Sequence, residues 1–326
     1  MNKKVRGVLQ VLISLALLAW LLYQVGFDEV WSTLTTIRWS WYVPAFLLFI
    51  SNIVIRAYRW YLLLHALNER PSFSHLTYLY FIGFFANNFI PSGFGGDVVK
   101  IVSLRQTYGR GAEALSSVLM DRITGLLGSA IVALAAMLWN AVSHTTNVEL
   151  PAALWAAIAL ISLGMPLAFA AVRWLDPLTR LAARFPAVHR LPQYDRLHQL
   201  TDTVQRYPLP TLLRSLLISL PFTFSLILVQ YSIARALSVD VPLAAFGLFV
   251  PIIAIVNAIP LSFNGLGLRE GAYLFLFVPI GVSSESAVAM SLAFYFLRFS
   301  GGMIGGLLYA LRSVARLLQS PHARNL

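Results

Sequence analysis

The sequence predicts an all-α membrane protein: a polytopic helical bundle of about six spanning helices plus two re-entrant broken hairpins, in two inverted-topology repeats. Three observations predict it. Of the 326 residues, 58% are hydrophobic and 11% charged, too few polar groups to clothe a soluble domain of this length. One unusual segment occurs twice, as Asn88-Phe-Ile-Pro91 before Ser92-Gly-Phe-Gly-Gly-Asp97 and as Asn257-Ala-Ile-Pro260 before Ser262-Phe-Asn-Gly-Leu-Gly267. Lys and Arg, finally, crowd into a few short loops.

Taken in order, the full-length apolar stretches are Val8–Val25, Trp41–Leu64, Ala114–Trp139, Ala152–Val172, Thr211–Leu237 and Glu285–Leu311. Lys3, Lys4 and Arg6 precede the first, but no small-x-small cleavage site follows it, so a retained helix is expected rather than a signal peptide. Two further apolar regions, about 76–104 and 242–281, are interrupted in the middle by Pro and Gly. Most of their arms are too short to cross a bilayer, and an apolar arm of that length suits a re-entrant segment. The non-helical tip then has to be buried in protein or line a water-filled cavity.

Loop charge sets the expected orientation. With a cytoplasmic N-terminus, fifteen loop and terminal Lys and Arg lie inside, six of them between Arg173 and Arg206, and only Arg38 lies outside. Hairpin 76–104 then enters from the cytoplasm and hairpin 242–281 from the opposite face, so two halves, about 41–139 and 211–311, have inverted topology. Short matches accompany them: Ala66-Leu67-Asn68 with Ala236-Leu237-Ser238, and Arg122-x-x-Gly125 with Arg298-x-x-Gly301. Region 173–210 reads as a cytoplasmic linker, or as a short interfacial helix over Leu178–Phe185, within a single transmembrane domain spanning 1–326.

The charges left inside the membrane are the informative ones: Arg56, Arg59, Asp97, Lys100, Asp121, Arg122, Arg269, Glu270 and Arg298. Ionisable groups at bilayer depth are costly; they face the bundle interior, pair, and mark a substrate or ion path. Six cations against three carboxylates leave an excess of positive charge suited to an anionic guest, and Arg offers a planar fork for phosphate oxygens. Gly93, Gly95, Gly96, Gly265 and Gly267 would let backbone N–H groups approach such a guest, while Pro91 and Pro260 end helices that cannot continue. Asn88 and Asn257 fit either substrate contact or capping of the broken helices. Arg56 and Arg59, three apart on one helix face, fit the interior or a snorkelling position at the interface. Asp121 and Arg122, being adjacent, point about 100° apart and should pair with different helices. Substrate binding is therefore assigned to Asn88, Asp97, Lys100, Asp121, Arg122, Asn257, Arg269, Glu270 and Arg298.

Other chemistries lack their residues. No catalytic motif, Walker loop or dinucleotide fingerprint is present, and zero cysteines exclude disulfides and Cys-based metal sites. The +11 net charge follows the loops rather than a soluble basic stripe, so nucleic acid is not expected as a partner. No metal, no cofactor and no enzymatic activity are expected.

The segment Asn87-Asn88-Phe-Ile-Pro91-Ser-Gly-Phe-Gly-Gly-Asp97, then Asp121-Arg122, then Asn264-Gly-Leu-Gly-Leu-Arg269-Glu270, resembles the lysylphosphatidylglycerol synthase transmembrane-region family, which includes the flippase half of the multiple peptide resistance factor. The resemblance covers about residues 5–315 and implies a lipid-translocating module with paired re-entrant elements, its functional positions falling on Asp97, Arg122, Arg269, Glu270 and Arg298. In the full resistance factor a soluble aminoacyltransferase domain follows; here the sequence ends at Leu326, so lysyl transfer is not expected.

The function expected is a flippase-like transporter of the bacterial inner membrane, multi-pass with both termini cytoplasmic, moving an anionic lipid headgroup between leaflets. The alternatives are an ion-coupled carrier of a small organic anion, and an accessory subunit or transferase acting on a lipid phosphate. Expected partners are anionic membrane lipids, with a separate lipid-modifying synthase and a second copy of the chain as further candidates.

Overall fold

A computed structural model of the protein describes residues 3–90, 94–109, 111–143, 205–258 and 265–319, with scattered positions between 152 and 170. The described elements are helices: α1 (Lys3–Val25), α2 (Phe27–Thr35), α3 (Trp39–Ala66), α4 (Phe73–Phe89), α5 (Gly95–Tyr108), α6 (Gly111–Ser143), α7 (Leu209–Ala236), α8 (Leu243–Asn257), α9 (Leu268–Phe277) with a 3₁₀ turn at Val278–Ile280, and α10 (Ser284–Gln319). Among the described residues, four segments are long and apolar enough to cross a membrane: Trp39–Ala66, Glu113–Val142, Leu209–Ala236 and Ser284–Ser313. In α1 the apolar described stretch is the shorter Ser14–Val25. The expected span 152–172, most of the linker, and the break residues Pro91, Gly93 and Pro260 lie wholly or largely outside the described residues.

Both broken regions form two-armed elements, the first slightly wider than its apolar run (Phe73–Tyr108) and the second within the limits of its own (Leu243–Ile280). Their arms have 17, 14, 15 and 10 residues. Even the longest reaches only about 26 Å at 1.5 Å per residue, short of a hydrocarbon core of about 30 Å. The first break has a local cause. Ile90 is extended, φ −93° and ψ 116°, as the clash with a following proline demands, and α4 stops there. After each break the chain re-enters a helix through glycine. Gly267 sits at φ +81° as the N-cap of α9, a conformation that side-chain-bearing residues resist.

The helix α2 was not foreseen, since nine residues are too few to declare a period. Asp28 and Glu29 in its first turn complement the helix dipole. Phe27 and Trp31 stack on its exposed side with ring centres 6.3 Å apart.

α3 and α7, each of 28 residues, run antiparallel: Arg38 N–H at the start of α3 donates to Ala236 O at the end of α7 (2.8 Å), while at the other end Leu63 packs with Leu212 and Tyr207. α4 then packs along α10, and α8 along α6, a reciprocal exchange. The backbone repeats in detail. Adding 170 to the numbers of α3 gives those of α7, and the same step carries Asn68 to Ser238. Among the described residues these two are the non-glycine positions with positive φ, 62° and 60°. Each follows an Ala-Leu pair and closes the same helix end, with Glu69 N–H bonded to Leu64 O (3.1 Å) and Val239 N–H to Ala234 O (2.9 Å).

Candidate functional site

The side chains of α3 to α8 and α10, with both breaks, surround one cavity of about 250 Å³. Five of its lining residues are cations: Arg56 and Arg59 from α3, Lys100 from α5, Arg122 from α6 and Arg298 from α10. Asp97 is the lining carboxylate among the described residues. The first break contributes Asn87 and Phe94, the second Asn257, Ala258 and Gly265, and aromatic rings such as Phe84, Phe222 and Phe294 fill the space between the charges.

Four of the five cations and both aspartates are placed by identifiable contacts. The Arg59 side chain, 2% exposed, donates from Nε to Asp121 Oδ1 (2.7 Å) and from Nη1 to Ser219 Oγ on α7 (2.8 Å). Asp121 lies one layer behind the wall and accepts a short hydrogen bond from Tyr80 on its other oxygen. Arg122, one residue further round α6, points elsewhere and makes a close ion pair with Asp97, its guanidinium 4.2 Å from the centre of the Phe94 ring. Lys100 shares Asp97 at 3.3 Å and sits 3.8 Å from the centre of the Tyr80 ring. Arg56 lies among three rings, Tyr80, Phe84 and Phe222, 5.3–5.6 Å from their centres. Its buried Nε has no hydrogen-bond partner among the described residues, and neither does the Asn257 side-chain oxygen.

The hairpin tip is held by a different asparagine from the one expected. Asn87 Oδ1 accepts from Gly96 N–H (2.7 Å), capping the start of α5. Asn88 instead turns to α10, donating to Phe299 O (3.2 Å). Gly96 allows α5 to lie against α4: a Cβ there would stand 2.4 Å from Gly83 O. Gly95 likewise faces Ile90 inside the hairpin.

Arg269 and Glu270, both wholly buried, lie off the described cavity wall. Arg269 Nη2 meets Glu270 Oε1 at 3.2 Å, and Ser291 Oγ joins them, accepting from Arg269 Nε (2.9 Å) and donating to Glu270 Oε1 (2.8 Å). Glu270 Oε2 also accepts from Gly267 N–H (2.6 Å), a reciprocal cap on α9. Of the residues assigned to substrate binding, the structure gathers Asp97, Lys100, Arg122, Asn257 and Arg298 around one space. It sets Asp121 in the supporting layer, and Asn88, Arg269 and Glu270 in helix-to-helix or capping contacts.

The profile of the family described as "Lysylphosphatidylglycerol synthase TM region" matches residues 7–306. The chain belongs to the lysylphosphatidylglycerol synthase TM region family. Two similar proteins are the UPF0104 membrane protein PH1989 of Pyrococcus horikoshii, 23% identical over 92% of this chain and 95% of that protein, and a UPF0104 membrane protein of Methanothermobacter thermautotrophicus, 23% identical over 73% of this chain and 74% of that protein.

In this lysylphosphatidylglycerol synthase TM region member, the polar wall residues absent from the substrate-binding assignment are Arg56, Arg59, Asn52, Asn87, Tyr80 and Ser129. A signal existed for the two arginines, which stand three apart on one helical face. What holds Arg59 inward is the carboxylate of Asp121 on another helix, and Arg56 lies among the Tyr80, Phe84 and Phe222 rings; no spacing within α3 reveals either contact. Tyr80 had no signal in a sequence with 13 tyrosines.

Proposed function

We propose that this chain is a lipid transporter that takes an anionic headgroup into the cavity between two halves of inverted topology and passes it across the bilayer. One observation carries the reading: a small cavity inside an apolar bundle is walled by five cations and, among the described residues, one carboxylate. Charge of one sign at bilayer depth is costly when unmet, and an anionic guest meets it. Membership of the lysylphosphatidylglycerol synthase TM region family supports a lipid as that guest.

The inverted relation is supported by antiparallel α3 and α7 of equal length, by the reciprocal packing of α4 on α10 and α8 on α6, and by the shared left-handed residues Asn68 and Ser238. Two such halves can rock about a shared site and open it alternately to either face. The loop arginines favour the cytoplasmic membrane with both termini inside.

The test is leaflet exchange in proteoliposomes carrying a labelled anionic lipid. Exchange faster than in protein-free vesicles is expected, falling at least about tenfold for Arg56→Gln and Arg298→Gln. Exchange no faster than in empty vesicles overturns the proposal.

A further inference from the structure

The two breaks carry matching side chains and use them differently. Asn88 and Asn257 each stand three residues before the breaking proline. Asp97 and Glu270 are each the third residue of the helix that follows. Arg122 on α6 and Arg298 on α10 each stand three residues before a glycine.

At the first break these groups reach across to other helices. Asp97 pairs with Arg122 and ties α5 to α6. Asn88 Nδ2 donates to Phe299 O, the carbonyl next to Arg298, and ties α4 to α10 (3.2 Å). The counterparts at the second break do neither. Glu270 takes Arg269, Ser291 and the Gly267 N–H as its partners. No bond corresponding to that of Asn88 joins Asn257 to Ile123 O, the carbonyl next to Arg122, among the described residues. The Asn257 side-chain oxygen is buried there without a partner.

The contacts missing at the second break lie within reach. α8 already packs along α6 as α4 does along α10, and Asn257 lines the cavity beside Arg122 and Arg298. Arg269, which holds Glu270, and Arg298 lie against the same ring, 5.8 and 5.9 Å from the centre of Phe294. Matched elements with unlike contacts have a second arrangement of the same chemistry, in which the two exchange roles.

Resting on the inverted-repeat transporter proposed above, we infer that the two hairpins are latched alternately and that the structure holds the state with the first one latched. In the other state Glu270 reaches Arg298, Asn257 Nδ2 donates to Ile123 O, and Asp97 and Asn88 let go of Arg122 and Phe299 O. Glu270 then bridges Arg269 and Arg298 as Asp97 now bridges Lys100 and Arg122, so Arg269 keeps its counter-ion. One hairpin is fixed and one free to move in each state, which gives the site its two openings.

The test makes three measurements on the full chain. They are unfolding temperature in detergent, binding of phosphatidylglycerol in phosphatidylcholine nanodiscs, and leaflet exchange of labelled phosphatidylglycerol in proteoliposomes. Asn257→Ala removes a latch that only the other state uses. Unfolding temperature should not fall and binding should stay within about twofold, while exchange slows about three- to tenfold, the effect of one lost hydrogen bond. Asn88→Ala removes a latch of the present state and should lower the unfolding temperature.

Binding and exchange that weaken together make Asn257 a lipid contact and overturn the alternating latch. Exchange at the unaltered rate overturns it too, and both results leave the transport reading standing. An unaltered protein that exchanges no lipid overturns the transport reading itself. Should Asn257→Ala fail to fold, Asn257→Leu, of similar size and without an amide, decides by the same comparison.

Discussion

Asp97 and Glu270 occupy the same place after the two breaks, each the third residue of the helix that follows, yet they bind different partners. Glu270 turns back on its own helix, capping Gly267 N–H and holding the buried Arg269. Asp97 leaves the backbone cap to Asn87 and reaches across to Arg122 and Lys100 at the cavity. One acid closes a helix end, and the other shapes the charge of the site.

Glu270→Gln should therefore act on stability. It strands Arg269, 0% exposed, without its counter-ion, and breaking a buried pair from one side costs about 3–5 kcal/mol. The double variant Arg269→Met with Glu270→Met should recover much of that loss. Thermal unfolding of the three purified proteins in detergent checks it, and a double variant no more stable than Glu270→Gln would sink the account.

Asp97→Asn should act on binding. Lys100 and Arg122 then face the cavity with no shared carboxylate, raising the local positive charge by one. Anionic lipid should bind about tenfold more tightly, with a steeper dependence on salt. Titration at two ionic strengths reads this, and weaker binding contradicts it.

Gly96→Ala should open the first hairpin. Its Cβ would stand 2.4 Å from Gly83 O and 2.9 Å from Asn87 Nδ2, backbone and cap together, so about 1–3 kcal/mol of stability is lost. Gly271→Ala is the matched control. It lies within α9 with open space around its Cβ and no positive φ, so it should stabilise by about 0.5–1 kcal/mol. Melting curves of the pair distinguish a local clash from a general intolerance of alanine.

The proposed inverted topology makes a prediction about sidedness. The sequence has no cysteine, so single replacements can be read without background. Arg70 and Asp240, exposed residues two positions past Asn68 and Ser238, lie beyond the ends of antiparallel helices. Arg70→Cys and Asp240→Cys should react with an impermeant maleimide from opposite faces of sealed vesicles. Labelling of both from one face refutes the inverted repeat.

Much of this organisation was legible in the linear chain. Pro91 and Pro260 mark where helices cannot continue, and the short apolar arms on either side follow from counting. The membrane class followed from composition, and the matching Ala-Leu-Asn68 and Ala-Leu-Ser238 ends proved to be backbone equivalents as well. Charge placement was less legible. Arg269 and Glu270 read as site residues because they follow a break, but Ser291 on α10 and the Gly267 N–H engage them away from the cavity. Asn87 and Asn88 are neighbours with different duties, and one residue of helical rotation, about 100°, separates the hairpin cap from the contact with α10.

By itself the sequence determined what depends on neighbouring residues: apolar spans, proline breaks, loop charge and the identity of every ionisable group inside the membrane. Only the tertiary structure decided which of those groups share a space. Helical periodicity fixes a side chain's angle about its own axis, but pairing depends on distances between axes. Arg59 therefore became a wall of the cavity through Asp121, 62 positions away, and Arg269 was drawn off it by Glu270 and Ser291.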